Sequence, residues 1–83
     1  MLKLFFFGRV RDQLGCGSLD LEWRPELADL SALERQLAGR GEAWARTLAE
    51  DNLIRAVNHT VVQRDAPVAD GDEIAFYPPV TGG

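Results

Sequence analysis

The last seven residues, Tyr77-Pro78-Pro79-Val80-Thr81-Gly82-Gly83, constrain this chain most. An alternating apolar segment runs up to Tyr77, and two prolines then stop it. Proline has no N–H for a sheet ladder, and its fixed φ favours an extended path. Beyond the prolines stand Val80-Thr81 and two glycines, with neither charge nor bulk. Fully extended, Pro78 to Gly83 spans roughly 20 Å, at about 3.3 Å per residue. The sequence therefore predicts a folded body over residues 1–77 and a thin, flexible arm over 78–83. Gly82 and Gly83 have no Cβ, so they can thread a narrow channel and bring backbone against another protein's active site. The carboxylate of Gly83 is then the reactive group that the arm presents. The plain alternative is a frayed chain end. A terminal glycine pair arises by chance in roughly one chain in two hundred, which alone is a weak signal. The Pro-Pro stop and the strand before it strengthen that signal.

Size and charge narrow the options. Eighty-three residues make one domain, and a chain of this length buries only about 60–65% of its unfolded surface. Hydrophobic residues at 46% and charged residues at 27% indicate a soluble globule rather than disorder. A net charge of −4 and a pI near 4.8 offer nothing to nucleic acid. No basic cluster suggests a membrane surface, and an acidic body suits basic protein partners. One cysteine gives no disulfide framework, and one cysteine with one histidine gives no credible zinc site. No apolar run approaches the ~20 residues of a membrane span. The Leu2–Phe7 run is too short for a signal peptide, and no small-residue cleavage site follows. The expectation is a cytoplasmic protein.

Alternation marks Leu2 to Gly8 as a strand, with Leu2, Leu4 and Phe6 on one face and Lys3, Phe5 and Phe7 on the other. Arg9 to Gly17 reads as a short helical turn ending at Gly15 or Gly17. Ser18 to Trp23 alternates again, Leu19, Leu21 and Trp23 inward, until Pro25 ends it. Asp29 to Ala38 is the main helix, because Leu30, Leu33 and Leu37 share one face. Asp29 and Ser31 compete as its N-cap; Asp29 is preferred because it keeps Leu30 on the buried side. Gly39 and Gly41 stop it, and Glu42 to Glu50 forms a second, shorter helix carrying Trp44 and Leu48. Leu53 to Val57 is a strand, Asn58-His59-Thr60 a turn, and Val61-Val62 continues beyond it. Asp70-Gly71-Asp72 turns the chain into a last strand, Glu73 to Tyr77, with Ile74 and Phe76 opposite Ala75 and Tyr77. The order β-β-α-(α)-β-β predicts an α+β domain: a mixed sheet with one main helix packed on one face and an extended C-terminal tail.

Three stretches carry a family resemblance: Leu4-Phe5-Phe6-Phe7-Gly8-Arg9-Val10-Arg11, Ala56-Val57-Asn58-His59-Thr60-Val61-Val62, and Asp70 through Gly83. The chain resembles the small subunits of molybdopterin synthase, ubiquitin-like β-grasp sulfur carriers. The last stretch is the specific one; residues 18–51 are generic. The resemblance implies that an E1-like activating enzyme uses ATP to adenylate Gly83, and that sulfur then replaces one oxygen to give a thiocarboxylate. It implies that Pro78, Pro79, Val80, Thr81 and Gly82 insert into the large subunit, where sulfur passes to cyclic pyranopterin monophosphate during molybdenum cofactor biosynthesis. A heterotetramer of two small and two large subunits is implied too. The chain would be no enzyme on its own and would bind no cofactor. A carboxylate is a poor electrophile and the tail holds no base, so the acid–base chemistry must come from partners. What the chain supplies is proximity.

Other residues rank lower. Cys16 reads as a structural thiol, since nothing beside it in sequence would activate it. His59 reads as a turn residue, and Asp70, Asp72 and Glu73 as a solvated loop. Phe5, Phe7, Val61, Ala75 and Tyr77 should share one sheet face if the terminal strands pair, and the helix can cover only the other face. Such a face at the root of the tail is a candidate partner surface. Three alternatives to the molybdopterin pathway stay open. They are a sulfur carrier for thiamine synthesis or tRNA thiolation, a ubiquitin-like modifier conjugated through Gly83, and a plain interaction module. The Pro-Pro before Val-Thr-Gly-Gly favours the molybdopterin carrier, because the thiamine-type carriers lack it.

Overall fold

Leu2, Leu4 and Phe6 are sealed from solvent while Lys3 is exposed and Phe5 half-buried, so strand β1 (Leu2–Phe6) has a core side and an outer side. The computed structural model describes residues 1–79. Strand β5 (Glu73–Tyr77) alternates the same way, with Ile74 and Phe76 at 0% exposure. The two strands pair in parallel at the centre of the sheet, Leu4 opposite Ile74 and Phe6 opposite Phe76. Their like-facing side chains make the first layer of the core.

Three further strands complete the sheet: β2 (Ser18–Leu21), β3 (Ile54–Val57) and β4 (Thr60–Val62), in the order β2-β1-β5-β3-β4. All pairings except β1 with β5 are antiparallel. Helix α1 (Gly8–Leu14) bridges β1 and β2 and ends at Gly15, whose φ of 65° places it in the left-handed region that glycine tolerates. Helix α2 (Leu30–Ala38) starts at Asp29, whose carboxylate accepts from the Ala32 N–H at 2.8 Å. Such a cap contributes about 1 kcal/mol. Leu30, Leu33 and Leu37 of α2 lie against the sheet, joined by Trp44 and Leu48 of α3 (Glu42–Leu48). Phe6 stacks on Phe76 at 5.5 Å between ring centroids, and Trp44 meets Phe6 edge-on at 5.4 Å.

One ion pair is buried in this apolar layer. The Arg55 guanidinium, on the core side of β3, binds the Glu34 carboxylate of α2 and donates to the Leu53 and Leu48 carbonyls. Arg64 lies 3.4 Å from the same carboxylate. Strand, helix and the end of α3 are therefore tied by one set of charge-assisted hydrogen bonds.

The architecture is the α+β fold with a mixed sheet expected from the element order, and the ubiquitin-like β-grasp that the family resemblance implies. Several boundaries differ from those expected, three of them for a plain local reason. β1 ends at Phe6, because Gly8 turns into α1 at once. β2 ends at Leu21 rather than Trp23; Trp23 leaves the ladder and its Nε1 donates to the Val68 carbonyl at 3.3 Å. Thr60 belongs to β4 rather than to the turn, since the chain reverses on Asn58 and His59 alone, with Val57 opposite Thr60. Thr60–Val62 is thus a strand of its own, β4, at the sheet edge, which brings the sheet to five strands.

Candidate functional site: the outer sheet face and the root of the tail

Helices α2 and α3 take one face of the sheet, and alternation sends every second side chain to the other. Two rows result there. Phe5, Ala75, Ala56 and Val61 lie in register across β1, β5, β3 and β4. Nearer the tail, Ile54 opposes Tyr77. Phe7, one residue past β1, donates its N–H to the Phe76 carbonyl at 3.1 Å and so prolongs the parallel ladder. Its ring stacks on Tyr77, with 4.8 Å between centroids and 8° between planes, while Phe5 lies 6.5 Å from Phe7.

All five residues expected on this face are on it. Among the described residues, Val61 at 67% and Phe7 at 42% are, with Met1, the exposed large apolar side chains. Phe5, Ala75 and Tyr77 are half-buried by their neighbours. A shallow groove of ≈ 690 Å³ runs over the face, lined by Gly8, Ile54, Ala56, His59, Val61, Tyr77, Pro78 and Pro79. Pro78 and Pro79 thus form part of the groove wall, where the chain leaves β5. Gly8, at φ 57°, packs directly against this exit: a Cβ on it would stand 2.9 Å from Pro78 Cγ. The expected roles of Val80, Thr81, Gly82 and Gly83 lie outside the described residues.

Sequence reading missed Ile54, Ala56, Gly8 and His59 as members of the site. Parity carried the signal for the first two: once Arg55 turns inward to Glu34, its neighbours must turn outward. Cys16 is half-buried in the α1–β2 connection, with Sγ 3.2 Å from the Ser18 carbonyl oxygen, which accepts from the thiol. The acids near Gly71 are engaged locally. Asp72 accepts from the Ala69 N–H at 2.8 Å and from Asn58 Nδ2 at 2.9 Å, and Asp70 pairs with the Met1 amino group. His59 Nε2 lies 3.7 Å from Glu73 Oε2.

The fold and this face define a ubiquitin-like β-grasp domain with an apolar outer sheet surface that meets the tail. SAMP1 from Haloferax volcanii shares the fold, with a TM-score of 0.79 and 20% identity over 99% of this chain and 98% of that one. Two curated relatives are each 40% identical over 83 residues, the full length of both chains. They are the molybdopterin synthase sulfur carrier subunits of Escherichia coli (strain K12) and of Haemophilus influenzae. The ThiS family pattern matches residues 4–83, and the chain belongs to the ThiS family.

Proposed function

We infer that this chain is the sulfur-carrier subunit of a molybdopterin synthase, and that the carboxylate of Gly83 carries the sulfur as a thiocarboxylate. The observation that carries the reading is the 40% identity to two such subunits over the whole of each chain. The apolar face at the root of the tail supports it, because a carrier must be held by its body while its end enters a partner's pocket.

The steps divide between proteins. An E1-like enzyme transfers AMP from ATP to the Gly83 carboxylate, releasing pyrophosphate. A sulfur donor then displaces AMP and leaves sulfur where one oxygen stood. The body docks on the large subunit through Phe5, Phe7, Val61, Ala75 and Tyr77. Pro78, Pro79, Val80, Thr81 and Gly82 span the distance to the large subunit's active site. There the sulfur passes to cyclic pyranopterin monophosphate. The tail offers no acid or base, so catalytic groups belong to the large subunit. The expected assembly is a heterotetramer of two small and two large subunits.

The arm itself provides the test. Gly82→Val adds a β-branched side chain where the channel reading allows none. It should abolish sulfur transfer in a reconstituted synthase assay while Tm stays unchanged. A residue added after Gly83 should do the same. Retained transfer by either variant would remove the channel-threading reading.

A further inference from the structure

The β3–β4 hairpin turns on Asn58 and His59, both left-handed, with φ of 49° and 70°. Two positive φ values between paired Val57 and Thr60 make a primed turn of type I, whose second position strongly prefers glycine. His59 occupies that position. A side chain there crowds the following carbonyl and strains the backbone. Asn58 has compensation within the fold: its side chain bonds both Asp72 and the Glu73 N–H, each at 2.9 Å. His59 has none of that kind. Its side chain is 82% exposed, and no hydrogen bond among the described residues holds its ring; only Glu73 Oε2, at 3.7 Å, is near. Yet His59 is one of the residues that line the apolar groove, together with Val61 and Tyr77.

Strain held at an exposed position, uncompensated by fold contacts, points to function. We propose that His59 is a partner-reading residue: the hairpin stands its imidazole at the rim of the groove, where it and Glu73 together bind a donor-bearing side chain of the docked large subunit. The inference rests on the docking face proposed above. Rims of protein interfaces are polar and hydrogen-bonded, while their centres are apolar. An imidazole offers an acceptor nitrogen, and the Glu73 carboxylate, 42% exposed, offers two more acceptor atoms beside it. Arginine, with its planar fork of donors, fits such a pair best, and a chain of net charge −4 suits a cationic group.

The test is calorimetric titration of the synthase large subunit with otherwise unchanged full-length variants, alongside their melting curves. His59→Gly should raise Tm by about 2–4 °C as strain is released, yet weaken binding on the order of tenfold. His59→Asn should weaken binding equally; asparagine accepts left-handed φ without loosening the turn, which separates loss of the ring from added flexibility. Unchanged affinity in either variant overturns the proposal, and so does a lower Tm in the glycine variant. Val61→Asp, on the edge strand of the apolar face, distinguishes the two readings. If it abolishes binding while the His59 variants bind normally, only the His59 proposal fails; if it too binds normally, the docking face fails and the proposal with it.

Discussion

At φ 49° Asn58 stands in the left-handed region, and its N–H donates to the Glu73 carbonyl at 2.7 Å. Both ends of its side-chain amide are bound as well, to Asp72 and to the Glu73 N–H. One residue thus shapes the hairpin and ties it to the start of β5. Asn58→Ala should destabilise the protein by roughly 2 kcal/mol, from two lost hydrogen bonds and a strained backbone. Asn58→Gly keeps the backbone free of strain and should cost only about half as much. Urea titrations with a shifted midpoint and an unchanged m-value would verify both. The buried Glu34–Arg55 pair is the other residue-scale dependence. Arg55→Met should cost about 3 kcal/mol, because it strands a carboxylate that is 8% exposed, with only Arg64 still in reach. Adding Glu34→Leu should recover most of that loss, and equal instability of the single and double variants in urea would contradict this account.

β1 and β5 are the elements on which the site depends, since together they supply Phe5, Phe7, Ala75 and Tyr77 to one face. Central aromatic contacts commonly cost 2 kcal/mol or more when truncated. Phe7→Ala or Tyr77→Ala should therefore weaken binding to the large subunit by about thirtyfold or more. Their stacking predicts coupling, so the double variant should lose less than the two single losses combined. Calorimetry with unchanged affinity for both single variants would refute the docking face. Which residues face outward on β1 and β5 was readable from alternation alone, as was Asp29 as the cap that buries Leu30. Which strands are neighbours was not: the parallel pairing joins segments some seventy residues apart, and periodicity carries no partner information. That is why Ile54 and Ala56, in the middle of the same face, went unread. The tight turn escaped for a different reason. Asn-His lacks the glycine that signals a two-residue hairpin, and the backbone adopts the turn despite the strain.

For the molecule as a whole, the sheet separates two tasks. Its inner face, with α2 and α3, builds stability; its outer face, with Pro78 and Pro79 where the chain leaves β5, carries the groove and is the proposed partner surface. Among the described residues no Ser, Thr or Cys side chain is hydrogen-bonded to a His, Asp or Glu, and the proposed chemistry belongs to a carboxylate beyond the sheet. The central claim is that Gly83 is the sulfur-bearing residue. Tandem mass spectrometry tests it most directly, on protein incubated with an E1-like activating enzyme, ATP and a sulfur donor. The account predicts an acyl-adenylate at Gly83 before the donor is added, then a mass gain of one oxygen-to-sulfur exchange at the same residue, unaltered in Cys16→Ser. A persulfide on Cys16 with Gly83 unmodified, or isopeptide links from Gly83 to lysines with no thiocarboxylate, would contradict it.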